Sequence, residues 1–325
     1  MLWIGAVTPP AVASAQSAEL VGSRALGMGG AFVAVASDSS ATWWNPAGIA
    51  AGPFLDVAMA QSRVEVAERL PAWRQKVSWF ALATPPIGLS YYRFRITDIQ
   101  PFDPTGQGGA DREERRAGVP VRSLSASQLG VTLVHTLLSG VHAGATLKYV
   151  RGTVQAGRDD GRAAPGVLLD RGDAFDEGDG EGRFDMDVGV LAVAGAVRVG
   201  ARMRNVLKPR FGPVRLPRQT RVGVAIDAVA LARTPLTLSV DADVERYATA
   251  WGRRRVVALG GEQWLRDGRL AVRAGGRVNT TGGGERAATA GASVAVRAGV
   301  YLDGHVVRGG TADERGWGLA ARVSY

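Results

Sequence analysis

From Leu236 to Glu245 apolar and polar residues alternate without a break. Leu236, Leu238, Val240, Ala242 and Val244 fall on one face of an extended chain, and Thr237, Ser239, Asp241, Asp243 and Glu245 on the other. Side chains of a strand point alternately to its two sides, so a period of two marks a strand with one apolar and one polar face. Three carboxylates on one face suit no soluble sandwich core. They suit a transmembrane barrel, whose outward face meets lipid while its lumen is wet. The last ten residues repeat the pattern, with Trp317, Leu319, Ala321, Val323 and Tyr325 outward and Gly316, Gly318, Ala320, Arg322 and Ser324 inward.

Period-two runs fall at 54–66, 75–84, 87–97, 123–137, 141–155, 183–193, 196–206, 218–230, 236–246, 254–265, 269–279, 287–296, 299–308 and 316–325. That is an even number, fourteen, as bacterial barrels require. Tight turns such as Pro85-Pro86, Leu138-Ser139-Gly140, Arg266-Asp267-Gly268 and Arg297-Ala298-Gly299 follow even-numbered strands, and longer polar loops follow odd-numbered ones. Short turns are periplasmic and long loops external in such barrels, so both termini are expected in the periplasm of a bacterial outer membrane. No segment offers the roughly 20 uninterrupted apolar residues of a transmembrane helix. In hydrocarbon only helices and closed barrels satisfy every backbone group, so a membrane role here means an all-β, antiparallel barrel of about fourteen strands. The 44 glycines and the absence of cysteine fit that reading. The net charge of +9 has no Lys/Arg cluster on a helix or loop to suit nucleic acid, and much of the arginine alternates along strands.

Residues 1–15 are apolar and end in Ala13-Ser14-Ala15, a small-x-small site expected to be the cleavage end of a signal peptide that, having no basic n-region, is either atypical or has lost its start; a buried strand or helix is the competing reading. The expected organisation is therefore 1–15 signal, 16–53 a segment inside the lumen, and 54–325 barrel. Alternation turns Lys148, Arg198, Arg202, Arg204, Arg221, Arg269, Arg273, Arg277 and Arg322 inward, with Asp185, Asp187, Asp227, Asp241, Asp243, Glu245 and Glu262 supplying the opposite sign. These charges can form a cross-strand ladder of ion pairs that holds the barrel shut. Arginines left over would instead select an anionic head group through their planar fork. Two long loops stand out, Asp98–Arg122, which holds the charged run Asp111-Arg112-Glu113-Glu114-Arg115-Arg116, and Ala156–Gly182. The second holds Asp173, Asp176, Glu177, Asp179 and Glu181 but lacks the spacing of a calcium loop, and is read as a solvated loop.

Between these ends lies Gly22-Ser23-Arg24-Ala25-Leu26-Gly27-Met28-Gly29-Gly30-Ala31, followed by Asp38-Ser39-Ser40-Ala41-Thr42-Trp43-Trp44-Asn45-Pro46-Ala47-Gly48. Gly27, Gly29 and Gly30 allow a backbone to lie against a barrel wall where a Cβ would collide. Asp38 or Ser39 can cap a short helix over Ser40–Trp44, and Pro46 ends it. Asn45 can bond its own backbone or a strand. No G-x-G-x-x-G or G-K-[ST] spacing is present, which excludes a phosphate-binding loop. Trp43 and Trp44 read as packing wedges more than as ligand platforms.

The two motif halves together resemble the N-terminal signature of the FadL-type outer-membrane transport family and its PorV/PorQ-like relatives. That resemblance implies a fourteen-stranded barrel whose N-terminal segment folds into the lumen as a hatch, here with Gly27, Met28, Gly29, Gly30, Asp38, Trp43, Trp44, Asn45 and Pro46 as its gate. It implies transport of small hydrophobic or amphipathic molecules, or a protein-binding accessory role for secreted or surface proteins. The partners expected are outer-membrane lipid and such a ligand, with no cofactor, metal or nucleic acid. His135, His142 and His305 form no metal spacing and no G-x-S-x-G elbow occurs, so no enzyme is expected and no catalytic residue is assigned.

Overall fold

The computed structural model describes residues 20–68, 71–99, 118–159, 162–176, 178, 180–211, 214–229, 235–249, 252–282, 284–310 and 314–325. The proposed cleavage site lies outside them. Fourteen antiparallel strands close into one barrel. They are β1 Asp56–Val66, β2 Ala72–Thr84, β3 Ile87–Ile99, β4 Val119–Leu138, β5 Val141–Asp159, β6 Glu181–Ala194, β7 Val197–Arg204, β8 Gln219–Asp227, β9 Leu236–Asp243, β10 Val256–Leu265, β11 Leu270–Asn279, β12 Arg286–Arg297, β13 Val300–Gly309 and β14 Arg315–Ser324. Each pairs with its chain neighbours, and β1 closes the ring on β14 with Asp56 opposite Ser324 and Glu65 opposite Arg315. Closure leaves no unpaired edge, which is what the hydrocarbon demands. Among the described residues no helix is long and apolar enough to cross a membrane.

The alternation has the expected sense. On β9, Leu238 and Val240 are 50% and 48% exposed, whereas Ser239 and Asp241 are both 1% exposed. On β14, Trp317 and Leu319 face out and Ala320 and Arg322 face in. A Tyr149–Phe184 edge-to-face pair, centroids 5.2 Å apart, stands on the outer face at the loop end of β5 and β6. Such aromatic rings mark the boundary of an apolar band.

The two long connections depart from expectation. β3 and β4 run past the end of their alternation, so Asp98 and Arg122 are not loop residues but cross-strand partners, with Arg122 Nε donating to Asp98 Oδ1 at 2.9 Å. The charged run 111–116 between them lies outside the described residues. The 156–182 stretch is not simply a solvated loop. β5 continues to Asp159, and helix α3, Pro165–Asp173, lies across the outward side of β2, β3 and β4. Leu168 and Leu169 pack there on Ala72, Ile99 and Val121, and Gly172 leaves no room for a Cβ against Thr97 and Val121.

Ionic contacts pin the helix. Arg74 is buried under it and meets Glu65 at 2.7 Å, Asp170 at 2.5 Å and Asp173 at 3.1 Å, while Lys76 meets Asp173 at 2.5 Å. Burial alone would raise the Asp173 carboxyl, but donation from Lys76, Thr97 and Arg74 outweighs it and holds the group below its ordinary value. A depressed carboxyl stabilises the docked helix fully above the free value of about 3.9 and loses its contribution as the pH falls through the lower docked value. Hydrogen exchange across 165–173, corrected for intrinsic rate, should show constant protection from pH 7 to pH ~4 and loss only below that. Loss between pH 7 and pH 5 would mean that Asp173 is not what holds α3.

Candidate functional site: a segment seated on the inner wall

Residues 20–49 lie inside the barrel, every one buried except the half-buried Arg24 and Ser37. The segment holds two short helices, α1 Ser23–Gly27 and α2 Ala41–Trp44, and a 3₁₀ turn over Pro46–Ala51. The expected side-chain cap is not made: the residue before α2 is Ser40, with no capping hydrogen bond from its side chain, and Asp38 shapes the preceding turn, its Oδ1 accepting from the Ser40 backbone N–H at 3.0 Å. Ser39 does something else, donating its backbone N–H to Asp56 at the start of β1, at 2.8 Å. Asn45, extended at φ −162°, ends α2, and Pro46 opens the next turn. The Asn45 amide uses both of its ends. Its Oδ1 accepts from Ala47 N–H at 3.2 Å, and its Nδ2 donates to Val33 O at 2.8 Å within the segment and to Val190 O of β6 at 3.0 Å.

Contact with the wall is backbone to backbone. A Cβ on Gly29, whose φ is +70°, would stand 2.6 Å from the Gly276 nitrogen of β11. Gly27 faces Gly291 of β12 in the same way. Gly30 is required for conformation, with φ +86°, and its carbonyl accepts from Arg221 at 3.4 Å. The wall answers with glycines of its own, in register on neighbouring strands: Gly144 opposite Gly189, Gly200 opposite Gly223, and Gly260 opposite Gly275. A Cβ on Gly200 would lie 2.5 Å from Val33 O and one on Gly144 2.5 Å from Ala47 N, while Gly260 and Gly275 back onto Met28. At these positions the segment fills the space that side chains would otherwise occupy.

Buried charge completes the seat. Asp241 Oδ2 accepts the backbone N–H groups of Phe32 and Val33, each at 2.8 Å. Glu262 takes Arg24 of α1 through two nitrogens, at 2.8 and 2.7 Å, and Arg273 of β11 at 2.6 Å. Burial works against the Arg24 charge, but Glu262 and then Asp38 override it and raise its hold on the proton above the ordinary value. Arg202 donates to the Trp43 carbonyl at 3.1 Å, and Thr289 to that of Gly27 at 3.0 Å. Trp43 is wedged 5.0 Å from both Tyr92 and Phe94 beneath the Arg204 guanidinium, and Trp44 meets Phe32 edge to face and donates to Val21 O.

The fold has solved counterparts. The CymD monoaromatic hydrocarbon channel superimposes with a TM-score of 0.64 at 13% identity, covering 95% of this chain and 99% of that one. The Ralstonia pickettii toluene transporter TbuX gives 0.63 at 13%, over 94% and 99%, and a Pseudomonas aeruginosa FadL homologue 0.58 at 10%, over 91% and 95%. The fold is that of the FadL-type barrel. No protein-family model matches the chain, and no curated protein matches it in sequence.

Within this FadL-type barrel the other lumenal cations find carboxylates. Lys148 meets Asp187 at 2.6 Å and Asp185 at 3.1 Å, Arg198 meets Asp227 at 3.0 Å, Arg221 meets Asp243 at 2.7 Å, and Arg277 meets Glu314 at 2.6 Å. Arg269 departs from expectation: it precedes β11 on the tight turn and is exposed at the rim, because the turn uses the residues that simple alternation assigned to the strand. Glu245 likewise lies past the end of β9 and is exposed. His142 sits at the turn end of β5 beside Thr136, and His305 is buried in the wall of β13. The wall glycines were missed by sequence reasoning. Their signal was present as an inward glycine on each of β5 to β8, β10, β11 and β12.

Proposed function

We propose that this chain is an outer-membrane channel for small hydrophobic or amphipathic molecules, with residues 16–53 as the hatch unit, residues 20–49 as its gate, and both termini in the periplasm. The observation that carries the reading is an apolar groove of about 600 Å³ on the lipid-facing side of β4–β7, lined by Leu133, Ala143, Ala145, Val190, Ala201 and Met203. It lies opposite the hatch. Gly144 and Gly189 in its floor have no side chains and back onto Ala47 and Asn45. Only strand backbone therefore separates the groove from the residues that fasten the segment to β6. A ligand entering from the outer loops and freed when Asn45 releases Val190 would meet an apolar exit and not water. The structural counterparts, a monoaromatic hydrocarbon channel and a toluene transporter, support this class of cargo. No step in this scheme uses chemical catalysis.

A second reading, a PorV-like accessory that holds secreted or surface proteins, draws support from how completely the segment occupies the barrel. The two separate on what the protein carries. An organic extract of protein purified in a mild detergent should contain a small apolar molecule at close to one per barrel, read by mass spectrometry. An extract holding only detergent and phospholipid, with a large protein retained on the barrel instead, would favour the accessory.

A further inference from the structure

We propose that the slot filled by the Trp43 indole is a binding site for a neutral aromatic ring of the cargo, and that exchange of one ring for the other unfastens the segment. The inference rests on the channel reading above and names the class of its cargo. Trp43 is the third residue of α2 and is buried. The Arg204 guanidinium carbon stands 3.3 Å from its ring centroid, and the rings of Tyr92 and Phe94 on β3 each lie 5.0 Å from it. Trp79 of β2 extends the cluster, 6.0 Å from Tyr92. A cation over a ring face and rings tilted against one another attract through the π system, so the slot favours an aromatic ring over a saturated one of equal size. The indole suits the slot in shape and not in polarity. Its Nε1–H is buried and meets no acceptor among the described residues, whereas the neighbouring Trp44 donates to Val21 O at 2.8 Å. A buried donor without an acceptor is destabilising, so a ring of the same size with no N–H satisfies the slot better than Trp43 does.

The lumen is two-sided, and its apolar side leads to the slot. From the slot toward the loop end, β3, β4 and β5 turn Ile96, Leu124 and Val150 inward, all buried, and Phe211 of the β7–β8 connection lies on Gly152, where a Cβ would stand 2.9 Å from the ring. The wall of β9–β14 instead turns Asp241, Glu262, Arg273, Asp303 and Arg322 inward. On its other side the slot adjoins the apolar groove. Asn45, two residues past Trp43, donates to Val190 O at 3.0 Å, and the floor glycines Gly144 and Gly189 back onto Ala47 and Asn45. Helix α2 is only four residues long, so a shift that follows loss of the Trp43 ring from its slot reaches Asn45 directly. Two bonds must break in that shift: the hydroxyls of Thr42 and Tyr92 are 2.5 Å apart, and Arg202 donates to the Trp43 carbonyl at 3.1 Å. They keep the segment closed until a cargo ring occupies the slot.

The test uses the full chain in a neutral detergent and reads hydrogen exchange of residues 41–47 during titration with naphthalene, which matches indole in size and lacks its N–H, and with decalin, its saturated counterpart. Naphthalene should speed exchange there with a midpoint at about tenfold lower concentration than decalin. Equal responses to the two, or no response to either, overturn the slot. Phe94→Leu removes one aromatic wall and should bring the naphthalene midpoint up to that of decalin, in protein that keeps the heat-modifiable migration of a folded barrel. An unchanged naphthalene midpoint in that variant places the binding elsewhere and overturns the assignment. The comparison of the two hydrocarbons on wild type needs no variant, so it decides the matter even where Phe94→Leu does not assemble. The channel reading is judged apart, by uptake of both hydrocarbons into cells with and without the protein. Equal, protein-dependent entry of the two keeps the channel and overturns ring exchange as its trigger; entry of neither above the control removes the channel reading and leaves the detergent result standing.

Discussion

Deleting residues 22–50 should convert a barrel that passes little ion current into an open pore. The barrel's fourteen strands pair only with one another and close through β1 and β14, so assembly of the wall does not need the segment. What the deletion removes is the filling. The glycines of β5–β8 and β10–β12 then face a lumen instead of a backbone, and Asp241, Glu262, Arg202 and Arg322 line it as wet charge, as in an aqueous channel. Planar-bilayer recordings should show large conductance steps for the deletion and few for wild type. A point change tests the same idea more gently. Gly29→Val places a branched Cβ against Gly276 at a positive φ, and overpacking of this kind costs about 1–3 kcal/mol. It should give intermittent openings with normal amounts of assembled protein. A deletion no leakier than wild type would show that the segment does not close the pore.

Glu262→Ala should loosen the segment more than any other single change in the seat. Its carboxylate is shared by Arg24, the half-buried cation of the segment, and Arg273, buried in the wall. Removing one partner of a buried ionic cluster typically costs about 3–5 kcal/mol, because the remaining charge is left without its counter-ion. Arg273 is fixed to a strand by the barrel ladder, whereas Arg24 sits on a five-residue helix, so the helix yields. Hydrogen exchange of residues 23–44 should rise strongly while the strands stay protected, and Glu262→Gln, which keeps the shape and one acceptor, should fall between. Equal loss of protection in strands and segment would assign Glu262 to barrel stability instead.

Much of this was legible in the chain. A period of two reports which side of a sheet a residue faces, and for Asp241, Asp243, Glu262, Arg202 and Arg273 that was enough to send them inward. It does not report what stands opposite across the lumen. The charges therefore read as a ladder of wall pairs or as an anion selector, whereas Asp241, Glu262 and Arg202 grip the N-terminal segment. The glycines of the motif were visible because three fall within four residues. The glycines of the wall were not, since they are scattered over seven strands and become a seat only through register. Helix α3 escaped for a different reason: its apolar contact rests on Leu168 and Leu169, too short a run for helical periodicity to emerge among glycines and charges.

The most direct test of the account is entry of an apolar fluorophore into efflux-deficient cells. On the proposed scheme, in which the segment blocks ions and water and the apolar groove behind Asn45 is the exit for a hydrophobic cargo, cells making the full chain should take up the dye faster than cells without it while remaining closed to a small hydrophilic tracer. Equal dye uptake with and without the protein, or equal admission of dye and hydrophilic tracer, would contradict it.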